Sequence, residues 1–194
     1  PEYATRGRLG GRVAVVGGGN GAMDAARCSM RLGAQEVNVI YRRSRAEMPA
    51  RLEEVENAEE EGIIFNFLCT PTALLSDGRN NVAAMEMVRM GLGEPDASGR
   101  RRPIPIPGSE FIMEVDTVVI SLGTSPNPLI ASTTPDLETS RKGTVVTDKS
   151  GKTSKARVWA GGDIVSGGAT VISAMGEGRI AASAMHEYLT NGAN

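Results

Sequence analysis

The chain has 194 residues, 40% of them hydrophobic and 23% charged, with 21 basic against 23 acidic side chains and a formal net charge of −2. That balance excludes a global pull toward nucleic acid or a membrane surface, and no apolar run is long enough to cross a bilayer. The two cysteines, Cys28 and Cys69, lie too far apart for a C-x-x-C redox pair and are too few for a cysteine-rich zinc or iron–sulfur site.

A soluble, globular protein in a reducing, cytoplasmic setting is therefore expected. The opening "PEYATRGRLGG" has neither a signal peptide nor an initiator Met, which points to a fragment or a processed chain. Arg12–Val16 is a short apolar run consistent with a buried parallel strand. Asn20–Leu32 carries Ala22, Met23, Ala26 and Met30 at helical spacing and is closed by Gly33. "EVNVIY" (Glu36–Tyr41) is a second strand, so strand, glycine turn, helix and strand have the size of a right-handed βαβ unit. A Glu-rich helix over Ala50–Glu61 and a strand over Ile63–Leu68 follow. From Thr72 to Val115 the alternation predicts an antiparallel meander, and "DTVVISLG" (Asp116–Gly123) is again a buried parallel strand. The Pro-, Ser- and Thr-rich stretch "TSPNPLIASTTPDLETSRKG" is the best boundary. Beyond it a strand over Thr144–Asp148, another ending in "VWAGGD", and an amphipathic helix from Ala169 to Leu189 are expected. The fold class is α/β: a Rossmann-like domain with a parallel sheet and an antiparallel meander, in three layers. Residues 1–124 form the nucleotide domain, 125–143 a connection and 144–194 a distal segment.

Gly17, Gly19 and Ala22 satisfy G-x-G-x-x-G/A directly after a strand and at the start of a helix. Gly17 makes the tight turn, Gly19 lets a pyrophosphate approach the backbone, and Ala22 lets the helix close on the sheet. Asn20 and Gly21 complete the turn. Unpaired N–H groups and the helix dipole favour an anion there.

The second strand decides which dinucleotide. An NAD site places a carboxylate at its end, whereas here the strand runs into "RRSR". Arg42 and Arg43 are the candidates for a 2′-phosphate, since guanidinium forks match its geometry and charge. Arg51 is a weaker one.

Other features have ordinary explanations. Glu53, Glu54, Glu56, Glu59, Glu60 and Glu61 read as a solvated helix face rather than a metal site. His186 has no nucleophile beside it in sequence, Cys28 and Cys69 read as packing residues, and Arg100, Arg101 and Arg102 read as a solvated turn.

Taken together, "GGGN-x-AMD", "YRRSR-x-EMPA", "VVISLGTSPNP" and "VWAGGDIVSGGATVISAMGEGRIAA" carry a resemblance across nearly the whole chain. They resemble the small (beta) subunit of NADPH-dependent glutamate synthase and its relatives, among them flavin subunits of ferredoxin:NADP oxidoreductases and the matching domain of dihydropyrimidine dehydrogenase. The resemblance implies an NADPH domain inserted in an FAD domain of the two-dinucleotide-binding flavoprotein type. It places Asp163, preceded by the cofactor-binding Gly162 in the distal FAD motif, at the flavin's ribityl or adjoining phosphate region, and the helix start near Ala169, Thr170 and Val171 at the flavin ring. Gly123, at the end of "SLG", is a positioning element near the nicotinamide. No catalytic residue and no metal ligand is implied, because nicotinamide C4 and flavin N5 supply the chemistry. The FAD glycine turn and the cysteine-rich iron–sulfur sequence of such proteins are missing from these 194 residues. The implied partners are therefore that N-terminal segment and a large catalytic subunit, with self-association through an unfilled flavin face left open. The implied activity is hydride transfer from NADPH to FAD within a longer enzyme, with the isolated chain inactive. A non-catalytic NADP(H)-binding sensor or interaction module, or the flavin subunit of a ferredoxin:NADP oxidoreductase, are the alternatives.

Overall fold

Alternation along the first strand dictates the layering in the computed structural model, which describes residues 9, 11–96 and 99–191. β1 (Arg12–Val16) directs Val13 and Val15 to one face and Ala14 and Val16 to the other, and all four are buried. A strand apolar on both faces must be covered twice.

The first cover is helical. α1 (Asn20–Arg31) and α2 (Leu52–Glu60) bring Ala22, Met23, Ala26, Val55 and Ala58 against Val13, Val15, Val37 and Val39. The opposite cover is an antiparallel sheet of β4 (Cys69–Ser76), β5 (Val82–Pro95) and β6 (Arg101–Pro105), with β7 (Phe111–Glu114) paired to β5. From it Cys69, Met85 and Met87 pack with Val115 on Ala14, Val16 and Ile40. Between the covers lies a parallel sheet of β2 (Glu36–Tyr41), β3 (Ile64–Phe67), β1 and β8 (Thr117–Ile120), in the order β3-β2-β1-β8. Arg12 pairs with Glu36 on one side of β1, and Val13 with Thr117 on the other. The strand order therefore reverses at β1, and ligands of open α/β sheets bind beyond the carboxyl ends at such a point.

α2 starts at Leu52 rather than Ala50, because Arg51 is extended and its N–H donates to Asn20 Oδ1 at 2.9 Å. Cys28 is exposed on α1 rather than packed in the core. The Glu-rich helix is not simply solvated. Arg27 pairs with Glu54 and Glu61 at 2.8 Å each, Arg31 reaches Glu61 at 2.7 Å, and Glu59 holds Arg45, so the acidic face ties α2 to its neighbours.

Contacts divide the chain after Gly123. In the second unit α3 (Pro128–Thr133) is capped by Asn127, whose side chain accepts from Leu129 N at 3.0 Å. The stretch expected as a connection is bonded into this unit. Val146 N–H donates to Glu138 O at 3.0 Å, and Lys155 pairs with Asp136 at 2.8 Å. The strands expected at 144–148 and at "VWAGGD" are single bridges instead, Thr147 to Thr153 and Lys152 to Trp159. Asp148 accepts from the N–H groups of Ser150 and Lys152, and this tight turn leaves no room for a longer ladder. α4 (Asp163–Ser166) and α5 (Val171–Thr190) complete the unit. α5 begins two residues later than expected because Thr170 Oγ1 accepts from Ser173 N and caps it.

Candidate functional site

A cavity of about 580 Å³ opens at the carboxyl ends of β1, β2 and β8. Its floor is the glycine turn and the start of α1: Val16, Gly17, Gly18, Gly19, Gly21 and Ala22. Ile40, Tyr41, Arg42, Arg43 and Pro49 form one wall, and Ile120, Ser121, Leu122 and Gly123 another. Cys69, Thr70, Pro71 and Arg100 close it from the antiparallel sheet.

The three consecutive glycines have different reasons. Gly17 has φ +153°, and a Cβ there would lie 2.1 Å from Ser121 O, so the close approach of β1 and β8 requires glycine. At Gly18 the obstacle is the Tyr41 ring, 2.5 Å away. Gly19 is the exception. Its φ of −93° and ψ of 177° suit any residue, and a Cβ there would meet nothing within 4 Å. The protein itself does not demand glycine at 19, and the open space it preserves is the mouth of the cavity. α1 also begins without a side-chain cap and without an acidic residue in its first turn, so its first N–H groups remain available to an anion.

The "RRSR" turn separates into distinct tasks. Arg42 is exposed at the cavity wall. Arg43 also lines the wall, but its side chain is buried: Nε donates to Arg101 O and Nη2 to Asp96 Oδ2, both at 2.7 Å. This departs from the expectation of two forks turned to a phosphate, because a buried guanidinium must be paired where it sits. Ser44 and Glu47 form a capping box, and the Ser44 hydroxyl holds the Glu47 carboxyl below its ordinary range. Arg45 Nη2 donates to Glu59 at 2.9 Å. Burial pushes the Cys69 thiol up to about 11, so it is no nucleophile at neutral pH.

The structure thus gathers Gly17, Gly19, Gly21, Ala22, Arg42, Arg43 and Gly123 around one cavity. Asn20 does not line it and instead accepts from Arg51 N, fastening α2 to the turn. Arg100 and Tyr41 also line the cavity although no local sequence pattern marks them as site residues, and only the pairing of the antiparallel sheet brings Arg100 there. Gly162, Asp163, Ala169, Thr170 and Val171 belong to the second unit. Gly162 has φ +84° and its N–H donates to Glu177 Oε2 at 2.8 Å, while Asp163, Ala169, Thr170 and Val171 are exposed. Among the described residues no group of three or more His, Cys, Asp or Glu could hold a metal ion. No helix among them is long and apolar enough to cross a membrane.

A parallel sheet with a switch point, a glycine turn and a covering antiparallel sheet defines a dinucleotide-binding domain of the two-dinucleotide-binding flavoprotein type. The solved structure of Mycobacterium tuberculosis FprA in complex with NADPH shares this fold, with a TM-score of 0.74 at 19% identity, covering 98% of this chain and 55% of that one. Residues 2–178 match the family model of pyridine nucleotide-disulphide oxidoreductases, and the chain belongs to that family. It is 50% identical over 181 residues to the NADP(+)-dependent formate dehydrogenase subunit beta of Moorella thermoacetica, covering 93% of this chain and 25% of that protein. It is 40% identical over 184 residues to the glutamate synthase [NADPH] small chain of Escherichia coli, covering 93% and 39%. The chain therefore spans about a quarter to two fifths of the length of these curated relatives.

Proposed function

We propose that the cavity binds NADP(H) and that the chain is the NADPH-binding part of a flavin-dependent oxidoreductase that passes hydride from NADPH to FAD. The observation that carries this reading is the open space at Gly19, set between uncapped helix N–H groups and Arg42. A pyrophosphate fits there because the backbone offers donors with no side chain in the way, and the 2′-phosphate falls to Arg42 at the end of β2. Ile120 and Leu122 are 61% and 71% exposed at the rim beside Gly123, an apolar surface suited to the face of a nicotinamide ring.

For the flavin, Asp163 presents an exposed carboxylate for ribityl hydroxyls, and the start of α5 near Ala169, Thr170 and Val171 supports negative charge on the ring. These residues fit one side of a flavin. When bound, FAD supplies the hydride acceptor, and the chain's own residues bind and orient the donor rather than carrying out acid–base or nucleophilic chemistry. The identity with a glutamate synthase small chain and a formate dehydrogenase beta subunit, each matched over only part of its length, supports a longer enzyme that works with a partner subunit. The test is calorimetric titration of the unmodified chain with NADPH and with NADH. NADPH is expected to bind at least about tenfold more tightly, as one charge-assisted contact implies. Equal affinities would sink the assignment.

A further inference from the structure

The cavity is cationic by construction. Arg42, Arg43 and Arg100 line it, and no Asp or Glu is among its described lining residues. Arg43 is the buried member of the three, with its side chain 6% exposed. Its guanidinium grips the β5–β6 hairpin on both legs, at Asp96 Oδ2 and at Arg101 O. These two residues bracket Arg100, and Asp96 N–H donates to Arg100 O at 2.8 Å across the turn. A buried cation reaching from the tip of β2 thus fixes the backbone that presents a second cation to the same cavity.

We infer that Arg100 is a second contact for the 2′-phosphate and that Arg43 is a positioning residue acting through it. The inference rests on the NADP(H) reading of the cavity. A phosphate monoester offers enough oxygens for two guanidinium forks. Arg42 approaches from the parallel sheet and Arg100 from the antiparallel one, so the phosphate is held from two sides. Because Asp96 and Arg101 are already held by Arg43, less order has to be imposed around Arg100 when the nucleotide binds. NADH has no 2′-phosphate and gains nothing from this arrangement, which makes the hairpin an element of cofactor specificity.

The experiment measures NADPH and NADH affinities for the 194-residue chain and for Arg100→Ala, Arg43→Ala, Asp96→Asn and the pairwise combinations with Arg100→Ala. Arg100→Ala should weaken NADPH about tenfold and change NADH less than about twofold. Arg43→Ala should also narrow the preference for NADPH, but should add nothing once Arg100 is already alanine. Additive losses would show that Arg43 touches the phosphate itself and would overturn its positioning role. Should Arg43→Ala fail to fold, Asp96→Asn loosens the same grip in an isosteric side chain and makes the same comparison. An Arg100→Ala protein that keeps the full NADPH preference would overturn the inference while leaving the cavity's assignment intact. A parent chain without NADPH preference would instead remove the reading beneath it.

Discussion

The ring of Tyr41 occupies the space that a side chain at Gly18 would need, with Cδ2 and Cε2 each 2.5 Å from where the Cβ would be. The Tyr41 hydroxyl donates to Glu47 O at 2.7 Å, and Gly18 O accepts from Ala50 N at 3.1 Å. The glycine turn, the end of β2 and the arginine turn are thereby tied to one another.

These ties separate the glycines by experiment. Gly18→Ala forces the Tyr41 ring aside and should cost about 1–3 kcal/mol in thermal or denaturant unfolding. Gly19→Val meets open space and an ordinary backbone conformation, so only the loss of a tolerated cap residue should appear, about 1 kcal/mol or less. Its effect should fall on nucleotide binding, where NADPH and NADH weaken together because both share the pyrophosphate. A Gly19→Val chain that binds both normally would contradict the cradle.

Arg42→Ala is expected to lower NADPH affinity by about tenfold or more and to leave NADH within about twofold, from the loss of a charge-assisted contact of roughly 1.5–3 kcal/mol. Arg42 is exposed, so the melting temperature should hardly change. Unchanged selectivity, read by competitive titration, would shift the phosphate to other cations.

Flavin retention should differ sharply from nucleotide binding. Gly161 is not a second open cradle, because a Cβ there would lie 2.7 Å from Glu177 O of the protein's own α5. The contacts near Asp163 must then order a large flexible cofactor without a glycine turn for its pyrophosphate. The purified chain should be colourless, without stoichiometric FAD and without NADPH oxidation above the free-flavin background. A flavin absorbance band at full occupancy would contradict this. In a longer chain that does retain flavin, Asp163→Ala should weaken its retention and spare NADPH binding.

The two thiols should behave oppositely. Cys28 is exposed and should react with a thiol reagent in the native state, whereas buried Cys69 should react only on unfolding. Burial raises the Cys69 thiol from its ordinary 9.0 to about 11. Between those values the unfolded chain releases the proton and the folded chain keeps it, so stability is fully present below pH 9 and falls as the pH rises toward 11. Denaturation midpoints at pH 8 and pH 10, compared with those of Cys69→Ala, measure this contribution. An identical pH dependence in the variant would assign the loss elsewhere.

The βαβ start and the chemistry of its turn are legible in the residues alone. The apolar run of β1 is short and unbroken, that of β2 is broken only by Asn38, and Gly17 to Ala22 stand at the step from strand to helix, so local periodicity and turn chemistry suffice. Alternation likewise announced the meander, because a sheet with one covered face writes its period into the chain. Only the tertiary structure separates the two arginines that line the cavity wall, leaving Arg42 exposed and burying Arg43. Arg42 and Arg43 are neighbours of identical chemistry just past the end of β2, and nothing local tells them apart. The partners that bury Arg43 lie 53 and 58 positions away. Arg100 read as a solvated turn for the same reason: its place depends on the register of β5 with β6, which no local pattern encodes. The expected strands of the second unit failed because a strand is stable only with neighbours in register, and the described residues around Thr147 and Trp159 supply single bridges.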